Sequence, residues 1–475
     1  MTIEKRLREV GQGHLADHLA RLDNEERHRL VSQLERIDLE SVERRVAMHL
    51  DSGVTAEELR FEPVDAIEVP REMQEQQRAE ISREIGLEAI ASGRLGLLMV
   101  AGGQATRLGI SGPKGLVPIG PISGKNLFQW HAEKILALGK RVGRSLPWMV
   151  MTGPANDEET RQSFEAQGYF GMPKEDIFFF CQGTVPAVDL KGRMFLSSRD
   201  AVFENPDGHG GVLEALKCSG GFSWLEDRGV DQLFYFQVDN PLIRVGDPVF
   251  LGHHLQARAE MSSKVVEKFD SDEKVGVVGK LNGQTAVVEY SDLPEKFCRQ
   301  TDDEGRLRFR HGNMAVHLFS CPFLVERGAR VEESLPFHVA WKTIPHLDAS
   351  GKMVQPEAPN GLKFERFVFD LLPHASSSVT MTVERNLEFS PVKNREGNDS
   401  QESARRDLVE LFARWLESAG LDVPRNDQGA VRAPIEIAAG WGQDEQEVRA
   451  RLVGDDEARE RIRGLLEEGK PIFLE

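Results

Sequence analysis

Gly102 and Gly103 follow directly on a short apolar run, Leu95 to Val100, and Arg107 and Lys114 stand close behind them. The run has the length of a buried parallel strand. Where it breaks, the missing side chains let a ligand lie on backbone N–H groups, and two nearby cations suit an anionic one. That is chemistry for the phosphates of a nucleotide. The order G-x-x-x-x-G-K-S/T is absent, and Gly102, Gly103 and Gly109 do not spell G-x-G-x-x-G, so neither familiar phosphate loop is present. A plain glycine-rich turn with solvated cations is the alternative that composition allows.

Other groups repeat the theme. Pro206 to Val212 places glycines ahead of a predicted helix, where free N–H donors and the positive dipole end attract anions; an ordinary loop has the same composition. Asp239 closes the apolar stretch Leu233 to Val238, in the position of a magnesium ligand or of a residue that caps the next turn. Glu289, beside Tyr290, is able to accept two hydrogen bonds from sugar hydroxyls, or it is an exposed edge-strand carboxylate. Lys393 is a point charge fit for a phosphate, although most lysines are merely solvated. The histidines give no metal register: His253 and His254 are adjacent on a predicted helix, and His311 and His317 lack a nearby ligand partner.

These groups need a scaffold that brings strand ends together. From residue 93 to 395 apolar strands alternate with helices, the pattern of βαβ units. Trp148–Thr152, Ile177–Cys181, Leu233–Val238 and Lys264–Lys268 read as strands, with helices over 127–138, 158–167, 212–228 and 247–260. Gly102, Thr152, Gln182 and Asp239 then fall at strand carboxyl ends, where open α/β sheets bind ligands. Asn282-Gly283 predicts a hairpin between two antiparallel strands. Residues 1–92 read as a helical domain, with Asp23 and Glu26 at capping-box spacing and Leu30, Leu34 and Ile37 on one face. Residues 396–475 read as a small terminal domain with helices over 403–418 and 444–453 and a β-like stretch over 430–439. The expected fold class is α/β, a Rossmann-like core with a mixed, mostly parallel sheet, flanked by the helical and terminal domains.

Of 475 residues, 59 are Lys or Arg and 77 Asp or Glu, a net charge of −18. Nucleic acid is therefore an unsuitable partner, and a phosphate-rich substrate calls for a local basic pocket and a divalent cation. The four cysteines, Cys181, Cys218, Cys298 and Cys321, form no C-x-x-C pair, which points to a reducing cytoplasm. No apolar run is long enough for a membrane span, and no membrane partner is expected.

Taken in order, Ala101 to Gly109, Pro113-Lys114-Gly115, Asn126 to Gln129, Gln182-Gly183, Pro206 to Gly211, Val238-Asp239-Asn240, Val288 to Ser291, Gly312-Asn313, Phe367 to Asp370 and Ser390 to Asn394 resemble the eukaryotic-type UDP-N-acetylglucosamine pyrophosphorylase family. The resemblance implies a uridylyltransferase that takes UTP and a hexosamine 1-phosphate to UDP-sugar and pyrophosphate. It implies Mg²⁺, in-line displacement and no covalent enzyme intermediate. By the same resemblance Gly102, Gly103, Gln182 and Gly208 hold the uridine, Arg107 and Lys114 meet the triphosphate, Asp239 the metal, and Lys393 the sugar phosphate. Gly276, Glu289, Asn313, Phe367 and Phe369 line the sugar pocket. A monomer or weak homo-oligomer is expected. The chain departs from the family pattern at Ala105, expected to add bulk near the base, at Cys181 and His209, and at Arg310-His311, which bear on sugar preference.

Overall fold

Among the described residues a ten-stranded mixed sheet dominates the computed structural model, which describes residues 2–51, 60–348 and 350–475. Its strands are β1 (Phe61–Pro63), β2 (Leu95–Val100), β3 (Trp148–Thr152), β4 (Ile177–Cys181), β5 (Gln232–Gln237), β6 (Met261–Glu267), β7 (Val277–Leu281), β8 (Gln284–Val288), β9 (His311–Ser320) and β10 (Ser378–Val383). They run in the order β1-β7-β9-β5-β2-β3-β4, with β8 on β7 and β6 between β9 and β10. The apolar runs read from the sequence form the parallel block β5-β2-β3-β4, buried because helices cover it.

Antiparallel strands extend the block. The hairpin at Asn282-Gly283 is present, with both residues at positive φ (51° and 86°) and Leu281 paired with Gln284, the backbone a tight two-residue turn requires. Strand β9 lies antiparallel to both β5 and β6 and was not foreseen beyond Gly312-Asn313. The expected helix over 212–228 is two helices, Val212–Ser219 and Gly221–Glu226, divided at Gly220 with φ 79°. The terminal region adds a helix, Asp456–Glu467, and a parallel pair, Ile435–Ile437 with Ile472–Leu474, in place of one continuous β-like stretch. No described helix is long and apolar enough to cross a membrane.

The chain divides into two compact units. Unit 1 comprises Met1–Arg60, Gln182–Ala215 and Arg330–Leu371; unit 2 comprises Phe61–Cys181, Leu216–Ala329 and Leu372–Glu475. This differs from the linear succession 1–92, 93–395 and 396–475, and packing supplies the reason. One apolar core of unit 2 runs from Ala89 to Leu474 and so joins the sheet to the terminal residues. The helix Met73–Ala91 also belongs to unit 2, where it meets the helix Pro248–Gln256 backbone to backbone. A Cβ on Gly252 would lie 1.8 Å from the Ser82 carbonyl oxygen, and one on Gly86 1.9 Å from that of Pro248. Gly252→Ala must therefore separate two helices, and a loss of about 3 kcal/mol, read as a lowered Tm, is the expected result.

Unit 1 has its own core, in which Leu7, Leu15, Leu30 and Leu34 pack with Val185, Val188, Leu362 and Phe364. The capping box forms as predicted: Asp23 Oδ1 accepts the N–H groups of Glu25 and Glu26, and Glu26 Oε2 accepts that of Asp23. The helix it opens ends at Leu34, so Ile37 is buried from the following turn. Short ribbons, Thr184–Pro186 with Glu204–Pro206 and His338–Lys342 with Gly361–Glu365, complete the unit.

Candidate active site

The loop after β2 is built to present backbone. Ala101 N–H donates to the Met151 carbonyl and Val238 N–H to that of Val100, so the ends of β2, β3 and β5 are level. Asn156 Nδ2 donates to the carbonyls of Ala101 (2.8 Å) and Gly103 (3.1 Å). The carbonyls are thus turned inward and fixed. A Cβ on Gly103 would meet nothing within 4 Å, which is the open face expected of a ligand-bearing glycine. On the opposite side Gly153 packs so closely that a Cβ there would sit 2.8 Å from the Gly102 oxygen. Ala105 corrects an expectation: it is fully buried in the apolar core of unit 2, so its methyl adds no bulk near a base.

Lys114 crosses from this loop to the end of β5, where its Nζ donates to Asp239 Oδ2 at 2.8 Å; their side chains are only 19% and 8% exposed. Burial by itself pushes the Asp239 carboxyl up, but Lys114 and Lys393 outweigh it and the pKa is lowered. The chain carrying Lys393 is fastened to the same point, because Val392 N–H donates to the Asp239 carbonyl at 2.8 Å. Asn240 ties the same segment from both directions, donating to the Glu388 carbonyl and accepting from Ser390 N–H. Beneath them His131 is buried and held neutral, its pKa pushed down to about 3 by burial, so that Nε2–H donates to the Val238 carbonyl.

Three predicted residues, Lys114, Asp239 and Lys393, therefore converge. Arg107 does not join them by a bond: it lies exposed on the 3₁₀ turn Thr106–Leu108 and has no ion pair among the described residues. A further cation, Arg395, which the sequence reading passed over, approaches this loop, its Nε lying 3.6 Å from where a Gly109 Cβ would be.

The second group sits where β7, β8 and β9 meet. Val277 pairs with both Val288 and Gly312, which sets Gly276 opposite Glu289 just beyond the paired positions. A Cβ on Gly276 would lie 3.1 Å from Glu289 Oε1, and Asn313 N–H donates to the Gly276 carbonyl at 2.8 Å. The Asn313 side chain shapes its own strand: Oδ1 accepts the N–H of Ala315, which has φ 56° at a bulge facing β6. Bulges re-aim side chains at functional positions. His311 and Arg310 are engaged with Glu68, at 3.5 and 3.3 Å.

Gln182, Gly208, Phe367 and Phe369 belong to unit 1. Gly208 has φ 85°, and a Cβ on it would lie 2.4 Å from the Arg366 oxygen, so this glycine is required for the loop to pack on residues 365–367. His209 stacks on Phe367 (centroids 5.3 Å apart, 28°), Phe367 stacks on Phe369 (5.0 Å, 30°), and His209 Nδ1 accepts Val368 N–H. Burial holds the imidazole neutral, with a pKa of about 4. Both predicted phenylalanines and the unusual histidine are thus one aromatic cluster.

No group of three or more His, Cys, Asp or Glu side chains among the described residues is arranged to hold a metal by itself. Asp239, ionised and with one oxygen engaged by Lys114, fits Mg²⁺ brought in by a triphosphate, since Mg²⁺ keeps waters and phosphate oxygens and needs only one or two carboxylates.

Comparison with known proteins gives a consistent answer. A family model described as UTP–glucose-1-phosphate uridylyltransferase matches residues 50–403. UDP-N-acetylglucosamine diphosphorylase 2 of Arabidopsis thaliana is 36% identical over 434 residues, covering 88% of this chain and 84% of that protein. UDP-N-acetylglucosamine pyrophosphorylase of Saccharomyces cerevisiae is 34% identical over 430 residues, covering 87% and 90%. Among solved structures, the uridine diphosphate N-acetylglucosamine pyrophosphorylase of Trypanosoma brucei, crystallised with an inhibitor, superposes with a TM-score of 0.83 at 27% identity, covering 99% of this chain and 97% of that one.

Proposed function

Because the chain belongs to the UTP–glucose-1-phosphate uridylyltransferase family and is a nucleotidyltransferase, we propose that it makes UDP-N-acetylglucosamine and pyrophosphate from UTP and N-acetylglucosamine 1-phosphate. The observation that carries the reading is the convergence of Lys114, Asp239 and Lys393 beside the open Gly103 backbone. The choice of sugar rests on the relatives in Arabidopsis thaliana and Saccharomyces cerevisiae, both named for UDP-N-acetylglucosamine.

In this reading Gly102 and Gly103 receive the uridine. Arg107 and Lys114 neutralise the triphosphate and Lys393 the sugar phosphate. An oxygen of the sugar phosphate forms a bond to the α-phosphorus of UTP as the bond from that phosphorus to the bridging oxygen breaks, and pyrophosphate leaves with both bonding electrons. Two anions must approach each other, so the protein's contribution is positioning and preorganised positive charge, with no proton transfer required. Asp239 would hold Mg²⁺, which would supply further charge neutralisation on the phosphates. Gly276, Glu289 and Asn313 line the sugar pocket. The four cysteines are free, which suits the cytoplasm.

The test is pyrophosphate release from UTP and Mg²⁺ with N-acetylglucosamine, N-acetylgalactosamine and glucose 1-phosphates in parallel. A kcat/KM at least about tenfold higher for the first is expected, the discrimination that one substituent in a fitted pocket supports. Preference for glucose 1-phosphate, the sugar in the family's description, would overturn the sugar assignment while leaving the chemistry. Asn313→Ala, which removes the Oδ1 acceptor at the bulge and keeps the backbone bond to Gly276, is expected to narrow that preference more than it lowers kcat with the best sugar; equal losses for every sugar would remove Asn313 from the pocket.

A further inference from the structure

Lys134 has no part in the reaction above, yet its surroundings are built. It projects from the helix Leu127–Val142, and its Nζ donates to the carbonyls of Pro241 (2.5 Å) and Ile243 (2.8 Å). It lines a cavity of about 560 Å³ within unit 2, a volume ordinary for a small-molecule site. Aromatic rings form one wall. Trp130 and Phe412 have centroids 6.3 Å apart, and Phe412 meets Trp415 edge-on at 5.3 Å.

Acidic and basic side chains are equal in number around the cavity but differ in their pairing. Its carboxylates Glu133, Glu388 and Asp444 already have cations, Lys125 at 2.9 Å, Lys264 at 2.5 Å and Arg244 at 2.8 Å. The remaining one, Glu445, is exposed. Lys134 has only carbonyl oxygens as hydrogen-bond partners among the described residues; burial holds its pKa down to about 7, and the charge of Glu388, itself paired with Lys264, opposes this only in part. The group without an ion pair is therefore an amine in an aromatic-walled cavity, one that a bound acid would hold in its charged form. A neutral ligand would leave it without an ion pair, and an organic cation would meet repulsion.

We infer that this cavity is a ligand site, separate from the groups at Asp239 and Gly276, for a small aromatic monoanion whose ring lies against Trp130 and Phe412 and whose acid group meets Lys134 Nζ. Occupancy reaches the reaction through shared backbone. Pro241 follows Asp239 and Asn240 directly, Ile243 stands two residues further on, and Trp130 Nε1 also donates to the Pro241 carbonyl. Glu388, on the cavity wall, holds Asn240 through its own carbonyl. A ligand that draws Lys134 Nζ toward itself loosens the turn behind Asp239, so it changes turnover without entering the nucleotide or sugar groups.

Anilinonaphthalene sulfonate is a fitting probe, an aromatic monoanion whose fluorescence reports an apolar site. Titrated into the full chain, it is expected to fill one saturable site that saturating UTP does not displace. Binding is expected to weaken about tenfold or more in Lys134→Met, the loss of one charge-assisted hydrogen bond, and to vanish in Leu411→Trp, which fills the cavity. If melting shows Leu411→Trp to be unfolded, Trp415→Ala takes its place, with an expected weakening of about tenfold. At saturation kcat should change at least about twofold at unchanged KM for UTP. Absence of a saturable site, displacement by UTP, or equal binding to wild type and variants overturns the site; saturation with kcat unmoved overturns its link to the reaction.

Discussion

Asp239→Asn is expected to lower kcat by about 10²- to 10³-fold, the loss that follows removal of one preorganised charge-stabilising group. The substitution keeps shape and hydrogen-bonding capacity, so the Val392 to Asp239 backbone bond and the position of Lys393 are retained. What disappears is the negative charge that in our proposal attracts Mg²⁺ and that holds Lys114 at 2.8 Å. The signature is a fall in kcat with a raised Mg²⁺ requirement and a near-normal melting curve. Full Mg²⁺-dependent activity in the variant would show that the metal is held elsewhere. Because Lys114 and Lys393 hold the Asp239 carboxyl below its ordinary value, its charge is present throughout the neutral range. Any acid loss of activity traceable to it should appear only below its ordinary pKa of 3.8.

Lys264→Met should be the most destabilising of these substitutions, costing about 3–5 kcal/mol at pH 7, the range found when one partner of a buried ion pair is removed. Lys264 is fully buried in β6, with Nζ at 2.7 Å from Asp247 Oδ2 and 2.5 Å from Glu388 Oε2. Burial pushes the Asp247 carboxyl up, and Lys264 with Arg244 overrides it to bring the pKa to about 2. In the wild type this depressed pKa contributes stability that is present above 3.8 and lost as pH falls toward 2. Without Lys264 the two buried carboxylates lose their shared cation and take up protons at higher pH, so the deficit of the variant should shrink on acidification. Urea unfolding at pH 7 and pH 5 measures this. An equal deficit at both values would mean that lost packing, and not uncompensated charge, is the cause.

Much of this arrangement was legible in the residues. The apolar runs at 95–100, 148–152 and 177–181 became strands because continuous Leu, Val, Met and Phe have no other place than a sheet covered on both faces. The glycines and cations that follow them needed only that scaffold to be placed. Strand β9 was hidden because its interior carries polar groups whose partners are remote. His317 is fully buried and its Nδ1 meets Ser263 Oγ at 2.9 Å, a pairing no local pattern announces. The role of Asn156 was hidden for the same reason: it looks like a residue opening a helix, and its carbonyl partners lie in the glycine loop. Asn240 and His131 act through backbone oxygens, which every residue has and no sequence displays. The two units could not be read from composition, since each is assembled from three separate stretches.

The bond from Val392 N–H to the Asp239 carbonyl has a consequence for the order in which the enzyme comes into being. During synthesis the glycine loop, Lys114 and Asp239 emerge early and are able to find one another. Lys393 emerges only after β10, which itself pairs in parallel with β6. A nascent chain halted short of residue 390 would thus lack Lys393, the group proposed to meet the sugar phosphate. Because Val392 to Leu474 share one apolar core with the strands that carry the glycine loop, the scaffold and the site are finished by the same last stretch of chain.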